Sequence, residues 1–150
     1  MPINLGSGAI SGAYVGSDAV TAAYLGSTSV FTVDESRLFV AVSDNSSDVA
    51  LSSSDGITWT QRTMPTASEW RAVAYGNGTF VAVTQSNSNI AASSTDGINW
   101  TQRTLPASAG WRDVTYGNGT FVAVAYDSNV AATSSDGITW TQRTLPANTY

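Results

Sequence analysis

The sequence predicts an all-β fold in which three similar units of about 40 residues follow a short β segment rich in Gly, Ser and Ala. The motif Ser-x-Asp-Gly-x-x-Trp occurs three times, and its aspartates Asp55, Asp96 and Asp136 lie at intervals of 41 and 40 residues. Phenylalanines recur every 41 residues, at Phe39, Phe80 and Phe121. Internal repetition at this period indicates a repeat architecture, in which each unit buries its apolar face against the next.

The second copy shows the strands most clearly. Trp70–Tyr75 and Thr79–Val83 have strand composition, and Asn77-Gly78 between them is the preferred signal for a tight hairpin. Two further strands are predicted at Ile90–Ser94 and Ile98–Thr104, joined by Asp96-Gly97. Four short antiparallel strands in about 40 residues match the size of a propeller blade. The sequence therefore predicts three four-stranded, propeller-like blades.

The blades are assigned to residues 30–65, 70–106 and 111–146 of a domain that covers residues 30–150. Strands of the first copy are expected at Val30–Val33, Leu38–Val42, Val49–Ser52 and Ile57–Thr63. Its first turn, Asp34 to Arg37, lacks the Asn-Gly pair of the other two copies. One residue is missing from the third copy, and the shorter interval places the deletion in the loop Tyr126–Asn129, since loops tolerate length changes.

Residues 1–29 follow a shorter period. Leu5, Val15 and Leu25 are each followed by Gly-Ser and lie ten residues apart. Such small residues leave little volume for an independent core. We expect short strands and turns that order against a partner or another copy of the chain, and a flexible linker is the alternative interpretation.

Composition excludes several functions. The net charge is −5, and the six basic residues are all Arg and do not cluster, so nucleic acid is not an expected partner. The absence of Cys and His removes the usual zinc ligands, thiolate nucleophiles and imidazole bases, and no metal or cofactor is expected. The polar loop Asp44–Asp48 has oxygen ligands but no defined calcium spacing. The N-terminus lacks the basic and apolar regions of a signal peptide, so we expect none, and no apolar run reaches the length needed to cross a membrane.

Each residue of the repeated motif has a local structural role. A short acceptor such as Asp can accept hydrogen bonds from N–H groups two or three residues ahead, Gly supplies a positive φ, and Trp offers a large apolar surface. The motif resembles the Asp-box, or BNR, repeat of sialidase-like β-propellers, although here one residue fewer separates Asp from Gly and Asn99 replaces the usual Thr. The predicted structural positions are Ser53, Asp55, Gly56, Trp59, Ser94, Asp96, Gly97, Trp100, Ser134, Asp136, Gly137 and Trp140.

The short N-terminal repeats, such as Ala22–Thr28, resemble those of tailed-phage virion proteins. This resemblance implies a non-enzymatic structural protein of a phage-type virion (a tail fibre, baseplate or capsid decoration), made in the host cytoplasm and attached to other virion proteins through residues 1–29. A free-standing glycan-binding or protein-binding propeller is the alternative. Because three blades leave two open sheet edges, we expect a homo-oligomer, either a dimer or a trimer, unless the chain is part of a longer propeller.

The ligand-binding face is expected at the end of the blades that carries the loops between the second and third strands. These loops differ among the copies, which indicates either recognition or relaxed packing. The candidate ligand residues, for a surface glycan, are Trp70, Arg71, Gln85, Asn87, Trp111, Arg112, Tyr126 and Asp127. For Trp70 and Trp111, packing between blades is the alternative role.

No catalytic residue is predicted. The resemblance to sialidases implies an arginine cluster, a Tyr–Glu nucleophile pair and an acidic Asp. Arg62, Arg103 and Arg143 lie on the predicted outermost strand, far from any central site, and the isolated Glu35 and Glu69 do not form a carboxylate pair. A sialidase-like glycoside hydrolase is therefore the least favoured function.

Overall fold

The structure, a computed structural model, describes residues 38–126 and 128–146, together with the backbone of three short strands nearer the N-terminus. The chain divides into two compact units, Met1–Arg37 and Leu38–Tyr150. All the secondary-structure elements that the structure describes are β-strands, which confirms the all-β prediction. Within these ranges, no helix is long and apolar enough to cross a membrane.

The first unit contains an antiparallel sheet of three strands: β1 (Tyr14–Val15), β2 (Asp18–Ala23) and β3 (Phe31–Val33). Tyr14 lies opposite Ala19, and Val20 lies opposite Val33. Strands were predicted in residues 1–29, and β1 and β2 are two of them. The rest of that predicted segment lies outside the described residues.

The second unit contains three antiparallel sheets, in which strands adjacent in sequence pair with each other. The first blade contains β4 (Phe39–Val42), β5 (Ser47–Ser53) and β6 (Thr60–Ser68). The second blade contains β7 (Trp70–Gly76), β8 (Thr79–Thr84), β9 (Ser88–Ser94) and β10 (Thr101–Ala109). The third blade contains β11 (Trp111–Gly117), β12 (Thr120–Ala125), β13 (Val130–Ser134) and β14 (Thr141–Thr144).

One strand of the first blade was assigned wrongly from the sequence. Val30–Val33 was expected to be its innermost strand, but β3 pairs with β2 instead, and among the described residues the sheet of the first blade has three strands. In the second blade, Asn77 and Gly78 close the corresponding hairpin with φ angles of 48° and 72°. Asp34–Arg37 contains neither Asn nor Gly, so the first copy lacks the residues that favour this turn.

The outermost strands begin later and end later than predicted. Residues 57–59 and 98–100 belong to the motif turns, because the carboxylate of each motif Asp holds the backbone N–H groups just after the Gly. β10 then continues past the predicted end at Thr104, through a register shift, to Ala109. The connector to the next blade is therefore extended and partly paired.

The second strand of the central blade packs against both neighbouring blades. Side chains alternate between the two faces of a strand. Val81 and Val83 belong to a buried cluster with Phe121 of the third blade. Ala82, which points the other way, belongs to a second cluster with Ala50 of the first blade. The central blade is therefore held by an apolar surface on each side.

Gly76, at the end of β7, permits a close approach between the second and third blades. A Cβ atom at this position would clash with ring atoms of Tyr116. The Tyr116 ring also packs on Phe121, with 4.7 Å between the ring centroids. Gly117 occupies the same place one repeat later, and a Cβ there would meet no atom within 4 Å.

We expect Gly76→Ala to destabilise the protein and Gly117→Ala to leave its stability nearly unchanged. The added methyl group at position 76 must displace an aromatic ring packed between two blades, and overpacking of this kind costs about 1–3 kcal/mol. Urea unfolding followed by tryptophan fluorescence measures both free energies of unfolding. Equal effects of the two substitutions would contradict the close packing of Tyr116 on Gly76.

Candidate functional site

The three motif turns are closed by the same set of hydrogen bonds. In the first, Ser53 Oγ donates to Asp55 Oδ1 at 2.8 Å and accepts from the Gly56 N–H at 2.8 Å. Asp55 Oδ1 also accepts from the N–H groups of Ile57 and Thr58, both at 2.8 Å. The turns at Ser94–Asn99 and Ser134–Thr139 repeat these bonds.

The backbone hydrogen bonds lower the pKa of each motif aspartate, because they stabilise the charged carboxylate. The N–H groups of Thr58 and Ile57 lower the pKa of Asp55 from 3.8 to about 2. The pKa of Asp96 is also lowered, mainly by the N–H group and side-chain amide of Asn99. The pKa of Asp136 is lowered mainly by the N–H groups of Thr139 and Ile138. These carboxylates are ionised and bonded within their own turns, which fits a structural role.

Asn99, the one departure from Thr within the motif, adds a bond. Its Nδ2 donates to Asp96 Oδ2 at 2.8 Å, while its backbone N–H bonds to Oδ1. Both carboxylate oxygens of Asp96 are therefore engaged inside the turn.

The motif tryptophans of the second and third blades pack against the two buried clusters. Trp100 lies against the cluster of the first and second blades, and Trp140 against that of the second and third. Their Nε1 atoms are buried and make no hydrogen bond to the described residues. Trp59 of the first blade is more exposed, at 41%.

Acid is expected to unfold the protein through these turns. The folded-state pKa of each motif aspartate is depressed, so the folded state binds fewer protons than the unfolded chain. The stabilisation is present above about pH 4 and is lost as the pH falls through the folded pKa, about 2 for Asp55. Urea unfolding between pH 6 and pH 2 measures the fall. Asp136→Asn keeps a hydrogen-bond acceptor but removes one titrating charge. Its free energy of unfolding should therefore fall less between pH 6 and pH 2 than that of the unmodified chain. An equal fall in both proteins would contradict this role of Asp136.

At the opposite end of the blades, arginine side chains link each blade to the one before it. Arg71 Nη1 donates to Asp44 Oδ2 at 3.0 Å, and Arg112 Nη1 donates to Gln85 Oε1 at 2.9 Å. The Arg112 guanidinium carbon also lies 5.4 Å from the ring centroid of Tyr126, within the range of a cation–π interaction.

These five side chains form a row that we call the loop-face row: Asp44, Arg71, Gln85, Arg112 and Tyr126. Asp44, Gln85 and Tyr126 occupy the same repeat position, each 41 residues apart, directly after the second strand. The two arginines follow Trp70 and Trp111 on the innermost strands. Acceptor or aromatic groups thus alternate with cations across the three blades. Tyr126 is 67% exposed and Asp44 64%, so the row faces solvent.

Of the eight ligand residues predicted from the sequence, four belong to the loop-face row, namely Arg71, Gln85, Arg112 and Tyr126. Asn87 is exposed in the same loop as Gln85, where its φ is 46° and its N–H donates to the Gln85 carbonyl at 2.8 Å. Asp127 lies outside the described residues. Sequence reasoning missed Asp44 as a site residue, although its 41-residue interval from Gln85 was a usable signal.

Trp70 and Trp111 do not offer a stacking surface. Both side chains are fully buried, and their Nε1 atoms donate to the carbonyl groups of Thr66 at 3.2 Å and Ala107 at 3.3 Å. These bonds attach each connector to the start of the next blade. Trp70 and Trp111 therefore have the alternative role, packing between blades, because burial of a large aromatic side chain lowers the free energy of the folded state.

The outer arginines bond across their own blades. Nε of Arg62, Arg103 and Arg143 donates to the hydroxyl groups of Ser52, Ser93 and Thr133 at 2.8, 2.8 and 3.0 Å, respectively. Arg62 also lines an open groove of about 400 Å³ between the outer strand of the first blade and residues 98–100 of the second. Among the residues that the structure describes, no group of three or more acidic residues is placed to hold a metal ion.

Comparisons with known proteins agree with this architecture. Residues 63–150 match the sequence profile described as the DUF6242 beta propeller domain. No curated protein sequence matches the chain.

Three solved structures resemble the chain at low sequence identity. A streptogramin B lyase structure has a TM-score of 0.60 at 15% identity, and the match covers 81% of this chain and 45% of the lyase chain. Virginiamycin B lyase from Staphylococcus aureus has a TM-score of 0.58 at 16% identity, and the match covers 67% of this chain and 35% of the lyase chain. YCF48 bound to D1 peptide has a TM-score of 0.50 at 20% identity, and the match covers 63% of this chain and 33% of the YCF48 chain. The chain spans less than half the length of each, and the similarity concerns the fold alone.

Proposed function

The chain belongs to the DUF6242 beta propeller domain family, and we propose that it is a non-enzymatic binding domain that recognises an acidic glycan at the loop-face row. One observation supports this proposal above the others. Arg112, exposed beside the Gln85 amide and the exposed ring of Tyr126, makes its described contacts to neutral groups. A guanidinium that has no carboxylate partner among the described residues favours an anionic ligand.

The neighbouring groups supply what a sugar needs in addition to charge complementarity. The Tyr126 ring offers an apolar surface with a polar tip, and amide groups of Gln85 and Asn87 can exchange hydrogen bonds with hydroxyl groups. Arg112 is held by the Gln85 amide, which limits the side-chain entropy lost on binding. At the other end of the row, Arg71 already pairs with Asp44, so we assign the carboxylate of the ligand to Arg112.

The binding proposal predicts that a glycan array probed with the full chain gives signals for carboxylate-bearing sugars that weaken as the salt concentration rises. Arg112→Gln should weaken binding about tenfold or more, since loss of a charge-assisted hydrogen bond costs about 1.5–3 kcal/mol. Tyr126→Ala should also weaken binding, because it removes the apolar ring surface. Titration calorimetry with the strongest array ligand measures these changes.

Arg143→Gln is the matched control, because it removes the same charge from an exposed outer strand at the edge of the third blade. It should bind as the unmodified chain does. Binding to neutral sugars alone, or equal losses for Arg112→Gln and Arg143→Gln, would contradict the assigned site.

The assignment to a phage-type virion remains a prediction, supported by the short repeats of residues 1–29. Under this proposal the N-terminal unit attaches the chain to other virion proteins and the blades carry the binding face. Mass spectrometry of density-purified particles should detect the chain in constant proportion to the capsid protein. Absence from such particles would contradict the virion assignment and leave the free-standing binding propeller.

The non-enzymatic part of the proposal also needs a direct test, because two of the similar folds are lyases by name. The loop-face row contains no Cys, His or Lys, and its single carboxylate pairs with Arg71. Incubation with a streptogramin B and with a sialoside should leave both substrates intact by mass spectrometry. Turnover that Arg112→Gln abolishes would replace the binding proposal with an enzymatic one.

A further inference from the structure

The face of the first blade that points away from the second blade carries exposed apolar side chains. Phe39, Phe80 and Phe121 hold the same position in the three copies, but they are 56%, 7% and 0% exposed, respectively. Phe121 belongs to the buried cluster that contains Val81 and Val83 of the preceding blade. Among the described residues, no blade precedes the first, and Phe39 is left open.

Other positions on the same face repeat the pattern. Leu51 is 36% exposed, whereas Ala92 and Ala132, its equivalents in the second and third blades, are fully buried. Gly56 is exposed, whereas Gly97 lies buried against Val40 of the preceding blade. The first blade thus carries the face with which the second and third blades dock, and we call Phe39, Leu51 and Trp59 the incoming face.

The third blade carries the complementary surface. Val122 and Val124 correspond to Val81 and Val83, which are fully buried beneath the third blade, yet Val122 and Val124 are only half-buried. Gly117 corresponds to Gly76, whose surface is covered by Tyr116, yet the space above Gly117 is open. We call Val122 and Val124 the outgoing face.

The two open faces carry the Phe and Val residues that form the joints inside the chain, with Leu51 at the position of Ala92 and Ala132. The sequence Phe-Val-Ala-Val occurs in all three blades, at 39–42, 80–83 and 121–124. We infer that a second copy of this chain docks head-to-tail, so that Phe39 of one copy packs on Val122 of the other as Phe121 packs beside Val81. This inference concerns the blade faces and does not depend on glycan binding.

Two copies joined at both ends form a closed ring of six blades, which lies within the four to eight blades typical of propellers. A head-to-tail contact that closes gives a ring, whereas one that does not close gives a filament. Closure of the ring also buries both exposed apolar faces, and large apolar patches and open sheet edges are usually covered in this way. A dimer is therefore the expected assembly, in preference to the trimer that the sequence also allowed.

Sedimentation equilibrium of the full chain tests this inference. We expect a species of twice the chain mass of 15.6 kDa. Phe39→Glu and Val122→Glu should each weaken self-association more than about tenfold, because an unpaired charge is buried in an apolar joint. Thr104→Glu is the control, since it adds the same charge on the exposed outer strand of the second blade and should leave the dimer intact. Leu51→Glu repeats the test on the incoming face if Phe39→Glu loses its cooperative melting transition.

A mixing experiment identifies the head-to-tail geometry. The Phe39→Glu copy keeps its outgoing face and the Val122→Glu copy keeps its incoming face, so an equimolar mixture should form a heterodimer through one intact joint. A folded monomer of the unmodified chain at all concentrations would overturn the inference. A dimer that neither substitution weakens, or a mixture that stays monomeric, would overturn the head-to-tail joint.

Discussion

Apolar contact between the second strands of successive blades is the interaction on which the rest of the domain depends. Phe-Val-Ala-Val places two side chains on each face of the strand, so one short segment supplies both joints of the central blade. The close packing of the second and third blades leaves no room for a side chain at Gly76, and Trp111 and Trp70 are buried within the two apolar clusters. Without it, each three- or four-stranded sheet would expose an apolar surface that no element of its own blade can cover.

The two ends of the blades divide their tasks. At one end each motif turn is closed by its own serine and aspartate, and its polar groups are engaged within a few residues. At the other end the polar bonds run between blades, from Arg71 to Asp44 and from Arg112 to Gln85. Side chains at this second end can change without opening a turn, which suits a surface that recognises a partner.

Much of the fold could be predicted because the repeat interval reports the blade period directly, and the motif turns keep their residues in every copy. The pairing of Val30–Val33 could not be predicted, because strand composition does not determine which neighbouring strand a segment pairs with. The same limit affected the site. Arg71, Arg112 and Tyr126 follow from their position at a strand end, but an aromatic residue there can point inward or outward, and only packing decides that Trp70 and Trp111 are buried.

The self-contained motif turns also bear on the order in which the chain folds. Each joins two strands that are close in sequence, β5 to β6, β9 to β10 and β13 to β14, so closing the hairpin costs little loop entropy. Three nearly equivalent starting points then exist along one chain. Folding can begin at any of them and spread to its neighbours as apolar faces meet, the kinetic behaviour expected of a repeat protein.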